Sequence, residues 1–529
     1  MQQGQRPQTP AVRKAHAADT GPHASSASGG AVLTLDAWDR MTISAPAAAT
    51  AGTGALPAGL AAALAVIDAG FAVVDPARTG GTRAVPSAGA VHPYECHVIT
   101  AEAVFETDAV RRRVFRTAVT DPAALAAAGV PMPADGGAVV VVVTRPWLSM
   151  RKYGDRGYLY TQLDTAHLAV NLLGLASQSP GNAELRLRVR REPLAGLLGI
   201  ADRCREIHSV LRMGPASPSV RSAPGWTVYE AGGGAERPSW LERLCWESLG
   251  QVAAGDAPES RVPLELPDGG GPLAVTEPSG GAEPPDGAGP LDVAEPPDKA
   301  EPLDVAGPPL RATAVVRKPF LPAGARLPVD ASWSLGPKWR GLSAGRRSSE
   351  RFAAGAISGA ALGRTLAATR TALACDLPAE TVLRLTLVAR SVSGLAPGTY
   401  RLTGDGDDRA GLPLTDQDLV RACMHQDHLG SAAAAVLFHI RRDDLLGRSP
   451  VALREALFRA GGLGQLLYLG ATEAGIGVTG VGGFDTRRWQ HLGCVPEGDE
   501  LLYLLLLGAD GDPGAKWDRF QTAYAQAER

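Results

Sequence analysis

Apolar and polar positions along the chain fall into helical and strand periods in two separate stretches. In the first, LPAGLAAALAVIDAG from Leu56 has apolar residues at helical spacing, and CHVIT from Cys96 reads as a strand. A helix is predicted around Ala123, and the unbroken run AVVVVVT from Ala138 predicts a strand covered on both faces. A long helix over Tyr158 to Ala176 and a strand at IHSVLRMG from Ile207 complete it. The second stretch repeats this order. Helix AALGRTLAATRTAL from Ala360 is followed by strands LRLTLVAR and AAAAVLFHI, helix LREALFRAGGLGQLLYLGATEAG from Leu453, and strand LLYLLLLG from Leu501. The repetition predicts an internal duplication, two similar α+β domains packed as a pseudo-dimer.

The flanking segments lack such periods. Residues 1–30 are polar and rich in Ala, Ser and Gly, which predicts a disordered N-terminus. Residues 252–310 are dominated by Pro, Gly, Asp, Glu and Ala, with PLAV at Pro272 recurring as PLDV at Pro290 and Pro302. So little apolar surface cannot offset the entropy of ordering, and a flexible linker is expected. The two domains are therefore expected at 31–251 and 311–529.

The chain's 529 residues suffice for two or more cores. With 52 basic against 55 acidic side chains and a net charge of -3, it lacks the electrostatic footprint of a nucleic-acid binder. The first residues contain no apolar signal region, and the strongest apolar runs fall well short of the ~20 residues that cross a bilayer. A soluble cytoplasmic protein with no membrane partner is expected. The six cysteines show neither CxxC nor His-paired spacing, so neither a metal site nor a disulfide framework is predicted. Of the 52 basic residues only six are Lys, which singles out each of them.

Four blocks carry candidate chemistry. In RAVPSAGAVHPYE, Pro86 fixes the backbone while Ser87, Ala88 and Gly89 are small enough for a flat ligand to approach the main chain. Lys152 and Tyr153, expected in a loop before the long helix with Gly154 and Gly157, place an amine next to a phenol, a pair suited to proton transfer. RRSSERF offers Arg346, Arg347, Ser348 and Arg351 ahead of a helix, a set suited to a dianionic phosphate. Gly482 and Gly483 could present bare backbone amides to a ring acceptor, and Lys516 and Arg519 near the C-terminus could reach a phosphate.

Together, PSAGAVHPYE, KYGDRGYLYTQLDTAHLAVNL, RRSSERF and VGGFDTRRWQHLG resemble the nitroreductase-like flavoproteins. More narrowly, KYGDRGY followed by Asp-x-x-His resembles the SagB-type azoline dehydrogenases of thiazole/oxazole-modified peptide and thiopeptide biosynthesis. The resemblance implies FMN as cofactor, a central mixed sheet flanked by helices, and a flavin at a dimer interface. It further implies oxidation of an azoline ring in a precursor peptide to the azole, with cyclodehydratase components as candidate partners. Lys152 and Tyr153 would be the catalytic pair, Tyr153 as base; the remaining residues named above would hold the cofactor.

The motifs are divided between the halves. The first has PSAG and Lys-Tyr-Gly but no RRS-like block; the second has RRSSERF and VGGF, but reads RSVSGLAPGTY where PSAG would stand. One composite site per chain is expected, its twin having decayed. An NAD(P)H-dependent flavin reductase of nitro, quinone or dehydroamino-acid substrates, and a flavin-free peptide-binding scaffold, are the competing classes.

Overall fold

The computed structural model describes residues 50–51, 56–71, 73–75, 82–110, 112–132, 136–178, 183–200, 205–215, 225–230, 315–321, 327, 335–378, 382–403, 408–410, 414–446 and 450–511. The expected disordered N-terminus and linker, together with Lys516 and Arg519, lie outside them.

The fold is α+β, with mixed sheets flanked by helices. Its first sheet is built on helix α1 (Ala58–Phe71), strands β1 (Tyr94–Ile99), β2 (Ala103–Asp108), β3 (Arg113–Val119) and β4 (Ala138–Thr144), helices α2 (Pro146–Tyr153) and α3 (Arg156–Ala176), and strands β5 (Ala183–Arg186) and β6 (Glu206–Met213). The strands order as β3-β2-β1-β4-β6-β5, with Thr227–Glu230 beyond β3. The valine run of β4 does not alternate with polar residues because both of its faces are covered. Val140 and Val142 pack with Leu60, Ile67 and Leu172 of the two helices, while Val139, Val141 and Val143 pack with Leu125, Leu194 and Leu198.

The second half supplies β7 (Val316–Pro319), α4 (Trp339–Gly345), α5 (Gly359–Ala367), β8 (Ala372–Cys375), β9 (Arg384–Ala389), β10 (Gly398–Arg401), β11 (Arg409–Ala410), β12 (Ala434–Arg441), α6 (Pro450–Ala474), β13 (Gly477–Gly480) and β14 (Asp499–Asp510). Here the order is β11-β10-β9-β12-β14-β13. That is the succession of the first sheet: β9 stands where β1 does, β12 for β4, β14 for β6, and α6 for α3.

Two features join the halves. Strands β8 and β7 leave the second half and extend the first sheet past β5, with Cys375 opposite Leu185. The helix expected over 360–373 thus ends early, in a turn at Ala368–Arg370. Its Ala- and Leu-rich end becomes a strand because an open sheet edge accepts it, burying Leu373 and Cys375. In addition, α6 lies against α3 through Gly461, Gly462 and Gly464. A Cβ at Gly461 would stand 2.7 Å from Ala166 Cβ, and one at Gly464 2.8 Å from His167 Cε1. Glycines inside a helix cost about 1 kcal/mol each relative to Ala, and here they let two helix backbones meet.

Two local expectations change. Lys152 and Tyr153 form the last turn of α2 rather than a loop, because Pro146 starts a helix that closes at Gly154. RRSSERF follows α4 and runs into a short strand at Phe352–Ala353, and the next helix begins only at Gly359. No helix N-terminal field therefore acts on Ser348.

Candidate functional site

The loop between α1 and β1 is anchored from below by a carboxylate of α3. Asp164 accepts from Ser87 Oγ at 2.6 Å and from the Ala88 amide at 3.0 and 3.2 Å. Ser87 Oγ in turn accepts from the His92 amide at 2.8 Å, and the His92 ring meets Tyr94 Oη at 2.9 Å. Burial pushes the Asp164 carboxyl up to about 7, against the pull of those two donors.

Lys152 and Tyr153 meet above this loop. A Cβ on Gly89, whose φ is +59°, would overlap Tyr153 Oη and lie 2.5 Å from Lys152 Nζ. The amine and the phenol thus share the space that the missing side chain leaves. Lys152 is exposed and Tyr153 half-buried, with the ammonium 5.4 Å from the ring centroid. Tyr153 stands edge-on to Tyr160, centroids 5.1 Å apart at 88°. We expect Gly89→Ala to keep the fold but to displace both side chains, since the added methyl takes their space; unmoved Lys152 and Tyr153 in the variant's structure would refute the contact.

Tyr160 carries the site across to the second half, donating to the Gly482 carbonyl. Gln426 Nε2 donates to the Gly483 carbonyl at 2.8 Å, and Arg156 reaches Thr486 Oγ1 at 2.7 Å while lying over Phe484. With both glycine carbonyls engaged, the amides of Gly482, Gly483 and Gly89 have no partner among the described residues. Such amides are donors for an acceptor-rich group.

The arginine block divides. Arg346, 2% exposed, donates to the Ala84 carbonyl at 3.0 Å, the Arg83 carbonyl at 2.6 Å and Ser348 Oγ at 3.3 Å. It ties the second half to the strand leading into Pro86. Ser348 Oγ also meets Tyr468 Oη at 3.1 Å, and Tyr468 accepts from the Gly480 amide at 2.7 Å. Arg347, its side chain 67% exposed, pairs with Asp510 at 3.0 Å, and Arg351 is exposed.

His167, one turn after Asp164, sits on the seam. Its Nδ1 donates to Gln465 Oε1 and its Nε2 accepts from Tyr503 Oη, both at 3.1 Å. Burial lowers its pKa to about 3, so the ring stays neutral. Counted back from the last residues of α3 and α6, His167 and Gln465 are equivalent positions, as are Asp164 and Gly462, and Tyr160 and Phe458. At the second cleft, then, glycine and phenylalanine stand for Asp164 and Tyr160. A Cβ on Gly462 would lie 2.6 Å from the Phe320 ring, and Phe320 packs on Phe458. The amides just past β5, Leu187 and Arg188, are taken by Asp376 at 2.8 and 3.0 Å. The chain's own side chains fill that cleft.

Pro86, Ser87, Ala88, Gly89, Lys152, Tyr153, Gly482 and Gly483 are thus grouped at the seam, with Arg346 and Ser348 adjacent. Arg347 and Arg351 turn outward. Asp164, Tyr160 and Gln426 stand with them; the sequence shows Asp164 as part of a motif without its role, a carboxylate within an apolar helix being the signal, and it singles out neither Tyr160 nor Gln426. Among the described residues, no group of three or more His, Cys, Asp or Glu is placed to hold a metal, and no helix is long and apolar enough to cross a membrane.

Comparison with known proteins agrees with this fold. Residues 385–509 match the nitroreductase family. No curated protein matches the sequence. A solved structure from Anabaena variabilis, named as a nitroreductase, is similar at 16% identity over 90% of this chain and 95% of that one, with a TM-score of 0.57. A chain of the E. coli microcin synthetase McbBCD complex, solved with truncated pro-MccB17 bound, matches 32% of this chain and 70% of its own at 16% identity and a TM-score of 0.27. The NADPH:FMN oxidoreductase of Vibrio harveyi matches 32% and 69% at 19% identity and a TM-score of 0.22. The chain therefore has a nitroreductase-like fold, with the family's sequence pattern in its second half.

Proposed function

We propose that the chain is an FMN-dependent oxidoreductase that converts thiazolines or oxazolines of a precursor peptide to thiazoles or oxazoles. The observation that carries this reading is the meeting of Lys152 Nζ and Tyr153 Oη over Gly89, on the rim of a seam whose edge amides have no partner among the described residues. The residues fit the cofactor. The Gly89, Gly482 and Gly483 amides suit the acceptors of a flavin ring, and Ser348 and Arg346 offer donors for its phosphate. FMN, when bound, supplies the two-electron acceptor for the ring's hydride.

The protein's task is to orient the ring and move its proton. Tyr153 Oη, at the open end of the seam, takes that proton as general base. Lys152 Nζ, in the same space, offsets the negative charge that the oxygen carries beforehand. Tyr160 keeps the Tyr153 ring edge-on and holds the opposite wall through Gly482. A cyclodehydratase would supply the azoline, and its components are the natural partners.

The test is the mass of a cyclised precursor peptide incubated with the protein: each ring oxidised removes two hydrogens, about 2 Da. An unchanged mass with a flavin-loaded protein in air refutes the reading. The filled second cleft supports one site per chain, so released flavin should be FMN at close to one per chain. A ratio near two would mean that Phe320 and Asp376 yield to a second cofactor.

A further inference from the structure

The Asp-x-x-His pair of α3 lies beside the proposed chemistry without a part in it. Above Asp164 the chain makes an improbable turn: Gly89, Ala90 and His92 have φ of +59°, +56° and +50°. Left-handed backbone at an alanine and a histidine persists only where the surroundings over-determine it. Here one chain of hydrogen bonds spans the turn, from the carboxylate to Ser87 Oγ and the Ala88 amide, and from Ser87 Oγ to the His92 amide.

We propose that Asp164 is a positioning residue, its carboxylate holding the Ser87–His92 turn in the shape that sets Gly89 beneath Lys152 and Tyr153. Its part in turnover rests on the azoline-dehydrogenase reading; its hold on the turn does not.

The groups around it make the hold pH-sensitive. Tyr94 of β1, Tyr160 of α3 and Tyr503 of β14 face Asp164; burial first, and the charge of Asp164 in addition, push each phenol up, while Arg346 draws Tyr94 and Tyr503 down. His167 of α3 is neutral, His92 is bonded to Tyr94, and Lys152 and Tyr153 lie across the loop. The ionised carboxyl accepts from both Ser87 and Ala88. Once protonated, one of its oxygens becomes a donor facing donors, and the hold weakens. Turnover should therefore rise with pH through about 7, where burial sets this carboxyl. Stability should move the other way. The folded carboxyl keeps its proton above the pH at which the unfolded one loses it, so the stability that this carboxyl contributes falls as pH rises from about 4 to about 7, against the opposite contribution of the buried, neutral His167 and His208.

The experiment compares the flavin-loaded native chain with Asp164→Asn, which keeps the shape and one acceptor. Turnover and melting temperature are read from about pH 4 to 9, and amide hydrogen exchange is followed in the peptide containing Ala88 and His92. Asp164→Asn should keep its flavin, lose turnover at least tenfold with little change in KM, lose the rise of turnover through about pH 7, and differ from the native chain in its melting-temperature profile by the contribution of this one carboxyl; its Ala88 and His92 amides should exchange at least tenfold faster. Native exchange and native turnover in Asp164→Asn overturn the proposal. Should that variant fail to fold, Ser87→Ala, which cuts the chain of bonds above the carboxylate, must give the same faster exchange at His92, and native protection there overturns it equally. If the native chain oxidises no azoline, only the reading of function falls, and the exchange data decide the hold.

Discussion

Tyr153→Phe and Lys152→Ala are expected to keep FMN at the native ratio and to form azole at a rate lower by ~10²-fold or more, the usual scale of general acid–base catalysis. Tyr153→Phe removes one oxygen and leaves the edge-on contact with Tyr160, 5.1 Å between centroids, so the ring remains a wall of the seam. Lys152 is exposed, and its truncation creates no cavity. Neither substitution touches the Gly482–Gly483 edge or Arg346, so a fall in turnover with flavin retained separates chemistry from binding. Loss of flavin from both would make the pair structural. Full activity of Tyr153→Phe would remove the phenol as base, and Lys152→Arg, which keeps the charge but cannot release a proton, then shows whether the amine itself acts.

Much of this arrangement was legible in the chain, and the remainder was not for identifiable reasons. Valine at five consecutive positions of β4 predicts a strand covered on both faces, and both faces are covered. The run LLYLLLL behaves likewise, Leu505 and Leu507 facing one core and Leu504 and Leu506 another. Ala372–Cys375 misled because alanine and leucine favour a helix only until a sheet edge offers better burial. Asp164 could be seen as part of a motif, but its role could not, since its partners Ser87 and Ala88 lie 77 and 76 positions away. Distances along the chain are larger still for His167 with Gln465 and Tyr503, and for Tyr160 with Gly482. The two bonds of His167 form where the glycines of α6 let it press against α3, a Cβ on Gly464 meeting both the His167 and Tyr503 rings.

The arginine block shows what structure adds to composition, because three arginines separate into unequal roles. Arg346→Ala is expected to weaken FMN 10- to 100-fold and to lower the melting temperature. The buried guanidinium holds the Arg83 and Ala84 carbonyls and Ser348 Oγ, and charge-assisted bonds of this kind are worth about 1.5–3 kcal/mol each. The loss reaches the flavin by two routes: the donor set at Ser348 loosens, and the strand entering Pro86 is freed to move the Gly89 edge. Arg347→Ala, in contrast, removes an exposed pair with Asp510 worth at most about 1 kcal/mol, and should change flavin affinity less than about threefold. Equilibrium titration of FMN into both stripped variants, alongside their melting curves, measures the difference. Equal losses would place the phosphate on the outer arginine, and an unchanged affinity in Arg346→Ala would move it away from this block altogether.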